Sequence, residues 1–143
     1  MKELIRGMLK FIFFLWQLPQ NILGFIVSKI EKAVKRTDFG ITYYAASFPK
    51  PLMRRCAVSL GDFIIADAFI ANELNLKHEN GHQKQSKMLG PFYLLFIGLP
   101  SAIGNCVDRV FHKNWETKKR EIWYYKQPWE AWADKLGKVE RKI

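Results

Sequence analysis

Charged residues drop out of the chain twice, and the two gaps organise everything between them. Neither Phe11–Val27 nor Met88–Val107 contains an Asp, Glu, Lys or Arg. The first gap follows a basic start (Lys2, Arg6, Lys10), but no small-x-small cleavage site stands where a signal peptide needs one. It is marginal for a straight crossing of a roughly 30 Å hydrocarbon layer, and Gln17-Leu18-Pro19-Gln20-Asn21 breaks it with polar groups and a proline. The pattern predicts a membrane or interface helix within residues 1–36, kinked across the bilayer or turning back in one leaflet. Its basic end, Ser28 to Arg36, is expected to continue the helix. A buried core helix of a soluble protein would show the same apolar run.

The second gap is interrupted at Gly90-Pro91 and at Gly98-Leu99-Pro100-Ser101. The latter group stands at the midpoint, which predicts an apolar re-entrant hairpin over 88–107 with its bend there. Each limb would be about 15 Å of helix, enough to enter one leaflet and too short to cross.

Between the gaps the period changes. Ile41 to Phe48 has strand character, Pro49-Lys50-Pro51 breaks it, and Arg55 to Leu60 and Phe63 to Ala66 read as strands around Gly61-Asp62. Short antiparallel strands over 41–66 are therefore expected ahead of a helix over 71–89, with a last helix over 121–137. At 143 residues this is one domain, 1–143, of α+β class and predominantly helical.

The helix over 71–89 contains His78-Glu79-Asn80-Gly81-His82. Spacing i, i+4 sets both imidazoles on one helix face, where they can share a zinc ion, with Glu79 beside the position a water would occupy. That carboxylate can take the water's proton while the metal stabilises the hydroxide. Gly81 weakens the helix by roughly 1 kcal/mol relative to Ala, so the position needs a missing side chain, for close packing or for access to the metal. A third ligand is required. A metzincin would need Gly at Gln85 and His at Met88, which excludes that class. Downstream, Glu130-Ala131-Trp132-Ala133-Asp134 offers an i, i+4 carboxylate pair. One could bind the metal while the other accepts the outward N–H of a histidine.

These two blocks together resemble the gluzincin metallopeptidases, the group that includes thermolysin-like and neprilysin-like enzymes. The resemblance covers about a tenth of the chain and implies a minimal zincin-like domain that hydrolyses a peptide or protein substrate. It implies Glu130 as third zinc ligand with His78 and His82, Asp134 as the partner of His78, and Glu79 as general base. It also implies an edge strand that pairs with an extended substrate. An oxyanion donor is needed too, for which Tyr124, Tyr125, His112 and Arg120 are the candidates.

Charge changes the picture last. The net charge of +10 would suit nucleic acid, but the cations flank the apolar runs, as residues meeting anionic headgroups do, and no basic–aromatic strand pattern is present. The expectation is membrane lipids as partners and no nucleic acid. Basic flanks on both runs place the polar parts on the cytoplasmic side, at a bacterial inner membrane. Trp115, Trp123, Tyr124, Tyr125, Trp129 and Trp132 suit a membrane–water boundary or a small core equally. Cys56 and Cys106 form no framework and fit a reducing compartment. Two alternatives to the peptidase stand: a non-enzymatic membrane protein braced by zinc, and a zinc amidase acting on a lipid or cell-wall amide. Site-2-protease-like cleavage is disfavoured, because the second run has no Asp-Gly.

Overall fold

A computed structural model describes residues 1–46 and 56–141. It is α+β and mostly helical, as expected, with a small mixed sheet held between helices. Helices α1 (Lys2–Trp16) and α2 (Leu18–Ile30) meet at Gln17 with a bend of 85°. Strands β1 (Val34–Asp38), β2 (Ile41–Ala46), β3 (Ala57–Leu60) and β4 (Phe63–Asp67) follow, then α3 (Glu73–Leu89). Short 3₁₀ and π turns lead into α4 (Leu99–Phe111), and α5 (Thr117–Tyr125) and α6 (Pro128–Gly137) close the chain.

The sheet order is β1-β2-β4-β3, with β2 and β4 parallel and the outer pairs antiparallel. The all-antiparallel expectation is thus corrected. The cause is β4, the most continuously apolar strand. Ile64, Ile65 and Ala66 have no exposure, so β4 takes a central place covered on both faces and displaces β3 to the edge. One face packs Ile41, Tyr43, Ala45, Ile64 and Ala66 under Leu76 of α3. On the other, Ile65 meets Val58, Phe63 and Val27 of α2.

The segment expected to continue the first helix is β1 from Val34 onward. All its residues are exposed, so it carries no apolar alternation to read. Its pairing with β2 is imposed by the turn at Phe39-Gly40, where both residues have positive φ (53° and 73°), as a type I′ hairpin requires. The strand expected from Ile41 runs to Ala46. Ser47, Phe48, the Pro49-Lys50-Pro51 break and Arg55 lie outside the described residues.

The α2 helix is inside out. Gln20, Asn21, Gly24 and Ser28 are buried while Ile22, Leu23, Phe25, Ile26 and Ile30 face outward. The Gln20 amide donates to Ser86 Oγ (2.9 Å) and to the Gly90 carbonyl (2.8 Å), and Asn21 Oδ1 accepts the Asp62 amide (2.7 Å). Polar side chains thus dock this apolar helix on α3 and on the β3–β4 turn.

The bend expected at Gly98–Ser101 is absent. Leu94 to Phe111 is one continuous helix, of mean hydropathy 1.3 and with 11% of it buried, long and apolar enough to cross a membrane. Core helices of soluble proteins can pass the same length and composition test, though they are mostly buried. Pro100 would clash with the carbonyl four residues back; the π turn over Leu94–Gly98 absorbs that conflict without ending the helix. The chain reverses after it, at His112–Glu116. On the return, Arg120 pairs with Asp108 (2.6 Å) and Tyr124 comes beside Ser101. The helix expected over 121–137 is two, divided ahead of Pro128.

Candidate metal centre

The geometry begins with α3. Asn72 caps it, its side chain accepting the Asn75 amide (2.9 Å), and the following turns put His78 and His82 on one face. Their ring centroids are 4.7 Å apart and their Nε2 atoms 3.2 Å. The α6 helix lies against α3 so closely that a Cβ on Gly81 would overlap the Ala133 carbonyl, and one on Gly137 would overlap that of Lys77. Close packing is therefore what Gly81 serves. One turn before Ala133, Glu130 points at the imidazoles: its Oε2 lies 3.0 Å from His78 Nε2 and 3.2 Å from His82 Nε2.

Those three donor atoms form a nearly equilateral triangle. Two ligands on a tetrahedral zinc, each bonded at about 2.0–2.1 Å, stand about 3.3 Å apart. The buried His78, His82 and Glu130 can thus hold a metal ion.

The hydrogen atoms strengthen the case. Asp134 Oδ1 lies 2.7 Å from His78 Nδ1, and Gln85 Oε1 lies 2.7 Å from His82 Nδ1. The Gln85 amide cannot be reversed without loss, because its Nε2 donates to the Trp129 carbonyl (2.8 Å). Both Nδ1 atoms are therefore the protonated ones in the neutral rings, and both Nε2 lone pairs aim at each other and at a carboxylate oxygen. Three lone pairs converging within 3.2 Å repel one another unless a cation, metal or proton, lies among them.

Electrostatics without a metal agree. Burial opposes ionisation of Glu130, yet its hydrogen bonds with His78 and His82 outweigh that and hold the carboxyl far below its ordinary range. Burial would lower His78; its hydrogen bonds to Asp134 and Glu130 overcome this and push it up to about 9. Asp134 is lowered against its own burial by His78 and by Arg141, whose Nε donates at 2.7 Å. Glu79 differs. Burial raises its carboxyl, and its Oε2 has no hydrogen-bond partner among the described residues. This buried carboxylate oxygen, next to His78 in the chain, has its accepting capacity unused by the described residues.

Of the four oxyanion candidates, Tyr124 and Tyr125 stand near the centre. The Tyr124 hydroxyl is 3.2 Å from Ser101 Oγ, and Tyr125 sets its ring edge-on to His78, centroids 5.3 Å apart. Burial raises both phenols, Tyr125 to about 12, so they are hydrogen-bond donors at neutral pH. Arg120 is instead bound to Asp108, and His112 stacks on Trp115 at 3.8 Å. Sequence reasoning missed Gln85, Ser101 and Arg141. Ser101 donates to Glu130 Oε1 (2.6 Å), fixing the carboxylate's other oxygen. Gln85, three residues after His82, was the one readable from spacing alone. Compared with protein-family models, curated proteins and solved structures, the chain matches none.

Proposed function

We propose that the protein is a membrane-associated zinc metallopeptidase of gluzincin type. The observation that carries the reading is the convergence of His78 Nε2, His82 Nε2 and Glu130 Oε2, with Glu79 next to His78 and its Oε2 unpartnered among the described residues. Two imidazoles and a carboxylate are a donor set that suits zinc. Zinc bound there would supply Lewis acidity and a water of pKa about 7. Glu79 would be the group that takes up a proton there and delivers it to the leaving nitrogen, and a Tyr124 or Tyr125 hydroxyl would be the donor for an oxyanion. The exposed apolar faces of α1, α2 and α4 support attachment to a bilayer, and the basic flanks support polar parts on the cytoplasmic side of a bacterial inner membrane.

The test is metal analysis joined to hydrolysis of a peptide library. Wild type is expected to carry one zinc per chain, and His78→Ala and Glu130→Ala to lose it. Glu79→Gln is expected to keep the metal and lose hydrolysis. One observation favours a second reading, a metal that only braces the fold: His78 and His82 are each 5% exposed and Glu130 not at all. In that case Glu79→Gln would change nothing measurable. Cleavage of lipid or cell-wall amides in place of peptides would point to the amidase.

A further inference from the structure

Away from the metal centre, α1 stands off the body over a cleft of about 880 Å³. Its wall on α1 is made by two stripes at the same helical spacing: Lys2, Arg6 and Lys10, and beside them Ile5, Leu9 and Phe13. The facing wall carries Ile41, Thr42, Asn80, Gln83 and Lys87, with Asp62 as its one acidic group among the described residues. Like charges at i, i+4 repel, so a triple basic stripe facing a cleft opposite a fourth cation favours the entry of an anion. Among the described residues, Glu3 is the acid paired with this stripe: it meets Arg6 at 3.3 Å, both side chains mostly exposed. The volume is that of a ligand pocket. A free anion would use the cations and leave the apolar stripe wet, whereas an amphiphile uses both.

We propose that this cleft seats the phosphate-bearing headgroup and upper acyl chain of a single anionic phospholipid. This rests on the membrane reading above and gives it a specific lipid contact. The outer face of α1 (Leu4, Met8, Phe11, Ile12 and Leu15, all exposed) would lie in the hydrocarbon, leaving the basic stripe at headgroup level where the cleft opens. Lysine and arginine stems span that boundary well.

The experiment uses the full chain in mild detergent. Native mass spectrometry after incubation with phosphatidylglycerol or phosphatidylcholine reads the cleft, and flotation on phosphatidylcholine vesicles separately reads membrane attachment. One retained phosphatidylglycerol and no retained phosphatidylcholine are expected for wild type. Lys87→Gln, on the far wall, should weaken retention about fivefold, and the Lys2→Gln/Arg6→Gln/Lys10→Gln chain should abolish it. The control Lys113→Gln/Lys118→Gln/Lys119→Gln, outside the cleft, should retain the lipid. No residue of α1 is buried, and Lys87, Lys113, Lys118 and Lys119 are exposed, so these changes leave the fold intact, checked by circular dichroism. Equal retention of both lipids, equal loss in cleft and control variants, or displacement by inorganic phosphate would each overturn the proposal. Failure to float would instead remove the membrane reading.

Discussion

Gly81→Ala separates the structure from local propensity, because the two predict opposite signs. Replacing a mid-helix Gly by Ala should stabilise α3 by roughly 1 kcal/mol if nothing else is touched. Here the new methyl would sit inside the Ala133 carbonyl, backbone on both sides, so neither partner can yield by rotating a side chain. The helices must part by on the order of 1 Å to restore van der Waals contact. Overpacking of this kind costs about 1–3 kcal/mol, so the net effect is destabilisation by up to about 2 kcal/mol. The retreat also reaches the metal centre. Glu130 lies one turn from Ala133, and metal–ligand distances tolerate only about ±0.2 Å. Thermal melts with and without added zinc measure both effects: a lower Tm, and a larger deficit with metal than without. Gly137→Ala, which meets the Lys77 carbonyl, should behave alike. A Gly81→Ala protein that melts higher and binds zinc normally would refute the close α3–α6 contact, and with it the delivery of Glu130.

Other outcomes follow from named contacts. Gln85→Leu removes the acceptor that fixes the His82 tautomer and should weaken metal binding about 10–100-fold in competition titrations, with Asp134→Asn similar through His78. Chelation of a zinc held at about 100 times its dissociation constant should lower unfolding free energy by about 2.7 kcal/mol, and Glu130→Ala should show no such drop. Gln20→Leu leaves Ser86 Oγ and the Gly90 carbonyl without their buried donor and should cost about 1–3 kcal/mol in denaturant unfolding.

Much of the candidate site was legible because it is local. His78, Glu79 and His82 lie within one helical turn, and Glu130 with Asp134 within another. The pairing of the two blocks came from resemblance, and the structure sets them together. What was not legible depends on distant partners. Nothing near Ser101 says that its hydroxyl will meet Glu130. The exposed β1 has no pattern to read, and the parallel β2–β4 pairing follows from which strand is buried deepest. Gly98 and Pro100 read as a bend because a proline's conflict is with one specific carbonyl, and a π turn can relieve it unseen.

The continuous helix from Leu94 to Phe111 reopens how the chain would sit in a bilayer. A hairpin bent at Gly98 would have kept Glu130 on the same side as His78. With the bend gone, α5 does that work, running back along α4 through the Arg120–Asp108 and Tyr124–Ser101 contacts. Suppose the Leu94–Phe111 helix crossed the hydrocarbon. Then α5, about 13 Å long, would stand beside it, with Arg120 held level with Asp108 near the end of that helix. A cation at the bilayer centre costs about 2.5–3.5 kcal/mol, but Lys118, Lys119 and Arg120 lie toward that end, where long stems reach the headgroups at a lower cost. The outward Leu95 and Phe96 of the π turn, with Leu99 and Ile103 of α4, can also enter a single leaflet without crossing. Length and hydropathy allow a crossing, and the charged return helix disfavours it. In a cysteine-free background, Lys77→Cys and Lys113→Cys should therefore react with an impermeant maleimide from the same side of the membrane. Labelling from opposite sides would mean that α4 spans, and that α5 leaves its place beside it.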